Sequence, residues 1–241
     1  MKTNPDVKLI LRDLFSYDIG SCHYNILKNL GLNISTIDPK DKLGRNIKIG
    51  LMMKDNPQLV PILRNITEST INEYITRNGI NENQIIWRAY DGIVTSKSFP
   101  DSDMYLPLEL RGIFEVFISS FDRTKFLAKY QNGEISIKGQ SERYEMIDEI
   151  FAKILKLNFN SKNAIFSGLQ RIRDEIFLTK NPRIFCIPKE EGKFSVMLHG
   201  YGEVIIGESM IRMMGTEDID RQWYWSYYFE TYCKSIVVEF V

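Results

Sequence analysis

Cysteine is scarce in this 241-residue chain. The three present, Cys22, Cys186 and Cys233, are an odd number set far apart, with no C-x-x-C or Cys/His ligand spacing. That pattern argues against a disulfide framework or a cysteine zinc site and suits a reduced, cytoplasmic protein. Long apolar runs are also lacking. No stretch nears the roughly 18 residues of a membrane span. The opening MKTNPDVKLILRDLF has no charged start, apolar middle and cleavage site of a secretory leader. The expectation is a soluble protein with no membrane partner. Net charge is missing as well: 31 basic and 31 acidic residues cancel. No global field draws the chain to nucleic acid, so any polyanion site has to be a local patch. No internal repeat or low-complexity linker marks a boundary.

What is present is an ordinary apolar fraction, 44%, and a series of changes in hydrophobic period. VKLILRDLFSYDI reads as a buried strand ending near Asp18. Ser21 suits an N-cap, and His23, Ile26, Leu27 and Leu30 fall at helical spacing before Gly31. KIGLMMKDN is ambiguous between helix and loop. Asn56 and Pro57 resemble an N-cap and first turn, and Leu59, Ile62, Leu63, Ile66, Ile71, Tyr74 and Ile75 predict an amphipathic helix ending near Gly79. QIIWRAYDGIVTSKSF predicts two strands joined at Asp91-Gly92, with Asp91 at the tip of the hairpin. GIFEVFISSF, KFLAKY and EISIKG follow as strands, the last two joined at Asn132-Gly133. Together these predict an α+β protein, an antiparallel sheet packed by helices. From residue 141 the period turns helical in ERYEMIDEIFAKILKL and NAIFSGLQRIRDEIFL. A strand pair, RIFCIP and EVIIG, precedes one aromatic-rich terminal helix, DIDRQWYWSYYFETYCKSIVVEF.

Asp18 and Asp91 carry the chemical interest. If their strands are neighbours, the two carboxylates converge at one sheet edge. Magnesium takes oxygen ligands and is commonly held by one or two carboxylates plus substrate phosphates. Two such ions roughly 3.5–4 Å apart serve phosphoryl transfer, one at the attacking and one at the leaving oxygen. Taken singly, an aspartate before a helix is commonly a cap, and Asp-Gly commonly just makes a turn.

DIGSCHYNIL, residues 18 to 27, resembles the first palm motif of family B (polymerase-alpha-like) DNA polymerases, D-x-x-S-L-Y-P-S-I-I. Asp18 and Ser21 coincide with it, and His23 stands at the family's tyrosine. AYDGIV, residues 89 to 94, is similar to the palm hairpin carrying the second metal-binding aspartate, though glycine follows its single aspartate. TKFLAKYQNGEISIKG resembles the family's K-K-x-Y element and following K-x-K-G strand, which contact the primer-template duplex. Lys125, Lys129, Tyr130, Lys138 and Gly139 are the matching positions. The terminal aromatic segment is similar to part of the family's thumb.

The resemblance implies a palm-like domain over residues 1–140, with reduced fingers at about 32–80, and a thumb-like helical subdomain over 141–241, without an exonuclease domain. It implies template-directed nucleotidyl transfer on primer-template DNA, and the many Lys, Asn and Ile residues suit an AT-rich genome, that of a bacterium or of a virus in an infected cell. In that reading Asp18 and Asp91 hold two magnesium ions, with Glu115 a further candidate ligand. Ser21, His23, Tyr24, Arg45, Lys48 and Lys54 are candidates for the deoxynucleotide, and Lys125, Lys129, Tyr130, Lys138 and Arg143 for nucleic acid. Two alternatives stay open: a palm-like replication subunit without catalysis, working with other polymerase subunits, and a metal-dependent nuclease.

Overall fold

The computed structural model describes residues 2–3, 8–101, 105–139 and 145–240. The fold is α+β, as the hydrophobic periods predict, with antiparallel sheets packed by helices and helices at the C-terminal end. Contacts divide the chain into two compact units, Met1–Val7 with Arg12–Glu115, and Lys8–Leu11 with Val116–Val241. The division falls after Glu115 rather than near 140. Strands that follow Glu115 share a core with the later helices.

Three strands open the chain: β1 (Lys2–Thr3), β2 (Leu9–Ile10), which belongs to the second unit, and β3 (Leu14–Ile19). One apolar run thus becomes two strands. Helix α1 (Cys22–Asn29) follows, burying Cys22, Ile26 and Leu27, while Leu30 is exposed. Helix α2 (Lys42–Asp55) contains the ambiguous KIGLMM segment and is capped at its start by Asp41, whose Oδ1 accepts from Gly44 N at 3.0 Å. Helix α3 (Leu59–Arg77) begins at Gln58, and Asn56 instead ends α2. Pro61 sits in the first turn of α3, where its missing N–H has no intrahelical acceptor to lose. Leu63, Thr67, Thr70, Ile71 and Tyr74 form its buried stripe.

Strands β4 (Ile85–Arg88), β5 (Gly92–Thr95) and the first part of β6 (Leu108–Ser119) complete the first unit, in the order β1-β4-β5-β3-β6. Every pairing is antiparallel. Tyr17, Ile19, Ile93 and Leu108 meet Leu27, Leu63, Ile71 and Tyr74 in one core. The Tyr17 hydroxyl donates to Phe99 O and accepts from Phe99 N, both at 2.7 Å, and Tyr74 donates to Pro100 O at 3.0 Å. Two buried tyrosines therefore anchor the segment leading to β6.

In the second unit, β2 pairs with the end of β6, and β7 (Phe126–Tyr130) pairs with β8 (Ile135–Lys138). Gly133 turns between them at φ 89°, a left-handed value that disfavours a side chain. Helices α4 (Glu145–Leu155) and α5 (Lys162–Leu178) are followed by a 3₁₀ turn, Pro182–Phe185. A three-stranded sheet comes next: β9 (Ile187–Glu190), β10 (Lys193–Leu198) and β11 (Gly202–Gly207). RIFCIP is therefore half 3₁₀ turn, with only Ile187 and Pro188 in β9, and the central strand is KFSVML, absent from the expected pair. Its partners on both sides bury Ser195 and Val196. Helices α6 (Glu208–Met213), α7 (Arg221–Tyr224) and α8 (Thr231–Phe240) close the chain, with a π-helical segment, Trp225–Glu230, joining the last two. Phe151, Phe185, Tyr228, Tyr232 and Ile236 are at the centre of the second core. Among the described residues no helix is long and apolar enough to cross a membrane.

Candidate active site

Alternation along β3 explains why Asp18 faces outward. Tyr17 and Ile19 point into the first core, so the side chain between them leaves by the opposite face and stays about 40% exposed. Asp18 lies opposite Gly92 of β5 on one side and Glu109 of β6 on the other. Directly paired residues share a face, so Gly92 leaves space beside the Asp18 carboxylate while Glu109 adds a second carboxylate. A Cβ at position 92 would stand 2.8 Å from Tyr17 O and 3.2 Å from Asp18 Oδ1.

Asp91 reaches the same sheet edge from the neighbouring turn. Ala89 N–H donates to Gly92 O at 2.9 Å, making Tyr90 and Asp91 the two residues of a tight hairpin. Ile19 N–H donates to Asp91 O at 2.9 Å, tying the turn to the end of β3. The structure therefore brings Asp18 and Asp91 to neighbouring positions, although they are distant in sequence. Both carboxylates also act on one thiol: burial pushes Cys22 up to about 11, and the charges of Asp91 and Asp18 add to that shift. The thiol contacts Thr67 Oγ1 at 3.3 Å and is un-ionised at neutral pH.

Between Asp18 and α1 the backbone is strained. Ser21 holds φ 49° and ψ 41°, a left-handed conformation that costs a non-glycine residue roughly 1–2 kcal/mol. It stands at the N-cap position but its side chain makes no capping hydrogen bond, which corrects the capping role expected of it. Asn25 Nδ2 instead donates back to Gly20 O at 2.7 Å. Such outliers persist where the surroundings over-determine them, and they cluster at functional sites. The next residue but one, His23, packs edge-on to Tyr90 with ring centroids 6.2 Å apart. Burial lowers its pKa below the usual histidine value, and the Asp91 charge partly opposes this. Tyr24 packs against the first core.

The other expected site residues are placed less favourably. Glu115 lies six positions along β6 from Glu109, so about 20 Å of extended chain separates it from the level of Asp18. Lys48 donates to Thr36 O and Arg45 to Pro39 O, so both hold the loop preceding α2. Lys54 is exposed in the last turn of α2. In the second unit, Lys129 lies opposite Ile135 and Phe126 opposite Lys138, which puts Lys129 and Lys138 on opposite faces of the β7–β8 pair. Tyr130 shares the face of Lys138, and Lys125, just before β7, has its Nζ 5.3 Å from the ring centre of Tyr227. Arg143 lies outside the described residues.

Three polar residues near the two aspartates were not singled out in the sequence. Glu109 is one. Arg111 is another, with Nε 3.9 Å from Asp18 Oδ2 and Nη1 3.3 Å from Glu109 Oε2. Arg64 of α3 is the third, close enough to Tyr90 for its charge to act on that phenol. The alternation of Leu108-Glu109-Leu110-Arg111 was the available signal for the first two. Among the described residues no group of three or more His, Cys, Asp or Glu side chains is arranged to hold a metal ion. The donor set at the sheet edge is carboxylate oxygen, as magnesium requires, and two carboxylates suffice where substrate phosphates supply further ligands.

No family model matches the sequence, and no curated protein does. Among solved structures the chain is similar to the family B DNA polymerase from the hyperthermophilic archaeon Pyrobaculum calidifontis. The TM-score is 0.45 and the identity 11%, over 98% of this chain and 46% of that one. This chain thus spans about half the length of that polymerase.

Proposed function

We propose that this chain is a palm-like module for template-directed nucleotidyl transfer, adding deoxynucleotides to primer-template DNA, alone or with other replication subunits. The observation that supports the reading is that the Asp91 turn lies beside the end of β3 that carries Asp18, with Ile19 N–H donating to Asp91 O. The motif resemblance at residues 18–27 and 89–94 supplies the reaction class. Magnesium held by Asp18 and Asp91 would supply electrophilic charge at the phosphates. The primer 3′-oxygen forms its bond to the α-phosphorus as the bond to pyrophosphate breaks, and the proton of that hydroxyl leaves to solvent.

The protein's part is mostly positioning and electrostatics, since phosphoryl transfer asks little covalent chemistry of side chains. Asp18 is held rigidly between two strands, and Asp91 by a two-residue turn. His23, kept neutral by burial, and Tyr24 would pack beneath the incoming sugar, with the Tyr90 ring beside His23. Lys125 and Lys129 would contact backbone phosphate, which positions a duplex without reading its sequence. Arg64, on α3 near the turn, is a better placed cation for a triphosphate than Arg45 or Lys48, whose side chains hold a loop.

Primer extension with magnesium and all four deoxynucleotides tests the proposal. The native chain should extend the primer, and Asp18→Ala and Asp91→Ala should each lower the rate at least a hundredfold. Extension by both variants at the native rate would remove the two carboxylates from the reaction. The Arg111 guanidinium beside Asp18 favours a second reading, a palm-like subunit that binds DNA without catalysis. In that case the native chain retains DNA in a gel shift and extends nothing, with or without partner subunits.

A further inference from the structure

Arg111 owes its position to an irregularity in β6. Leu110 pairs with Tyr17 and Gly112 with Ser16, leaving Arg111 as an extra residue without a partner on β3. This is a β-bulge, a device that re-aims a side chain and recurs beside active sites. Gly20 completes the arrangement. A Cβ there would stand 3.0 Å from Arg111 Nη2, so the absence of a side chain at position 20 leaves room for the guanidinium. The charge is then shared between two carboxylates, with Glu109 Oε2 at 3.3 Å and Asp18 Oδ2 at 3.9 Å. The Glu109 contact is the shorter, and Arg111 remains about 41% exposed, so the side chain has space to move.

From this geometry we infer that Arg111 is a resident counter-cation of the carboxylate site, competing with a divalent cation for Asp18 and withdrawing to Glu109 when one binds. The inference rests on the metal-binding role proposed above for Asp18 and names a regulator of that site. A guanidinium within 4 Å of a ligand oxygen repels a dication bound to that oxygen and also screens the oxygen's charge. Glu109 provides the alternative partner. Without it Arg111 would have only Asp18, and the site would close to metal. The pairing also keeps a metal-free Asp18 from facing Glu109 and Asp91 with no compensating charge.

Direct binding of manganese(II), measured by the loss of its free electron paramagnetic resonance signal in the absence of nucleotide and DNA, tests the inference. Arg111→Gln should bind about tenfold more tightly than the native protein, and Arg111→Lys, which keeps the charge, should remain within about twofold of native. Glu109→Gln should bind more weakly than native by severalfold. The same change made in the Arg111→Gln background should have a smaller effect, because no guanidinium remains to be redirected. Unchanged or weaker binding by Arg111→Gln overturns the inference, as does equal tightening by Arg111→Lys, which would point to a general loosening of β6. Asp18→Asn separates the two levels. If it leaves native manganese binding unaltered, or if the native protein binds no manganese, the metal site itself fails and the inference with it. If Asp18→Asn weakens binding but Arg111→Gln binds like native, only the role of Arg111 is lost.

Discussion

Burial and charge pull His23 in opposite directions, and burial prevails. With its folded pKa below the ordinary 6.5, the ring stays neutral in the folded state while the unfolded chain takes up a proton. His23 therefore contributes its full stability above about pH 6.5 and loses it as the pH falls toward the folded value. Melting temperatures measured between pH 7 and about pH 5 should drop more steeply for the native protein than for His23→Gln. Parallel curves would show that the ring titrates alike in both states. The same neutrality matters to the proposed reaction, since an uncharged ring packs against a sugar without drawing on Asp91 for charge compensation. Arg111 belongs to this scale too, where one side chain changes the charge that Asp18 presents.

Strand β5 is informative as an element because its first residue has no side chain. Gly92 pairs with Asp18 at the point where the sheet edge must accept the Tyr90-Asp91 turn. Gly92→Ala would force a methyl group to within 2.8 Å of Tyr17 O, and either β3 or the turn must shift. Overpacking of this kind costs about 1–3 kcal/mol, to be read from the denaturant midpoint. Because the displaced neighbour includes Asp18 Oδ1 at 3.2 Å, primer extension should fall further than the stability loss accounts for. An alanine variant with native stability would mean that the edge is more pliant than its spacing indicates.

At the scale of the molecule two hydrophobic cores stand out among the described residues. One is built on Tyr17, Leu27, Leu63 and Tyr74, the other on Phe151, Phe185, Tyr228 and Tyr232. Emptying part of either leaves a cavity in a close-packed interior. Leu27→Ala should cost about 2–5 kcal/mol and Phe151→Ala about 3–5 kcal/mol. Native-state hydrogen exchange should localise each effect: Leu27→Ala should speed exchange in α1, α3 and β3, and Phe151→Ala in α4, α5 and α8. Uniform acceleration along the whole chain in both variants would mean that the two cores unfold as one.

The amino-acid sequence by itself determined the periodic elements: the amphipathic α3, a hairpin around Asp91, although its turn falls on Tyr90-Asp91 rather than Asp91-Gly92, the β7–β8 turn at Asn132-Gly133 and the paired helices after residue 144. Each rests on local chemistry, either an apolar stripe at helical spacing or a turn residue that needs no distant partner. KFSVML was not legible as a strand because its identity depends on partners to either side, and the π segment of the terminal helix carried no local signal distinct from an ordinary helix. Asp18 and Asp91 could be named from the sequence because each sits at the end of an element. That the Asp91 turn lies beside the end of β3 was decided only by the pairing of β3 with β5, and the partner opposite Asp18 by the pairing of β3 with β6. The same dependence hid Arg111, whose position comes from a register shift between two strands distant in sequence. The alternation around Arg111 offers it as a strand residue beside Glu109 but does not encode that shift.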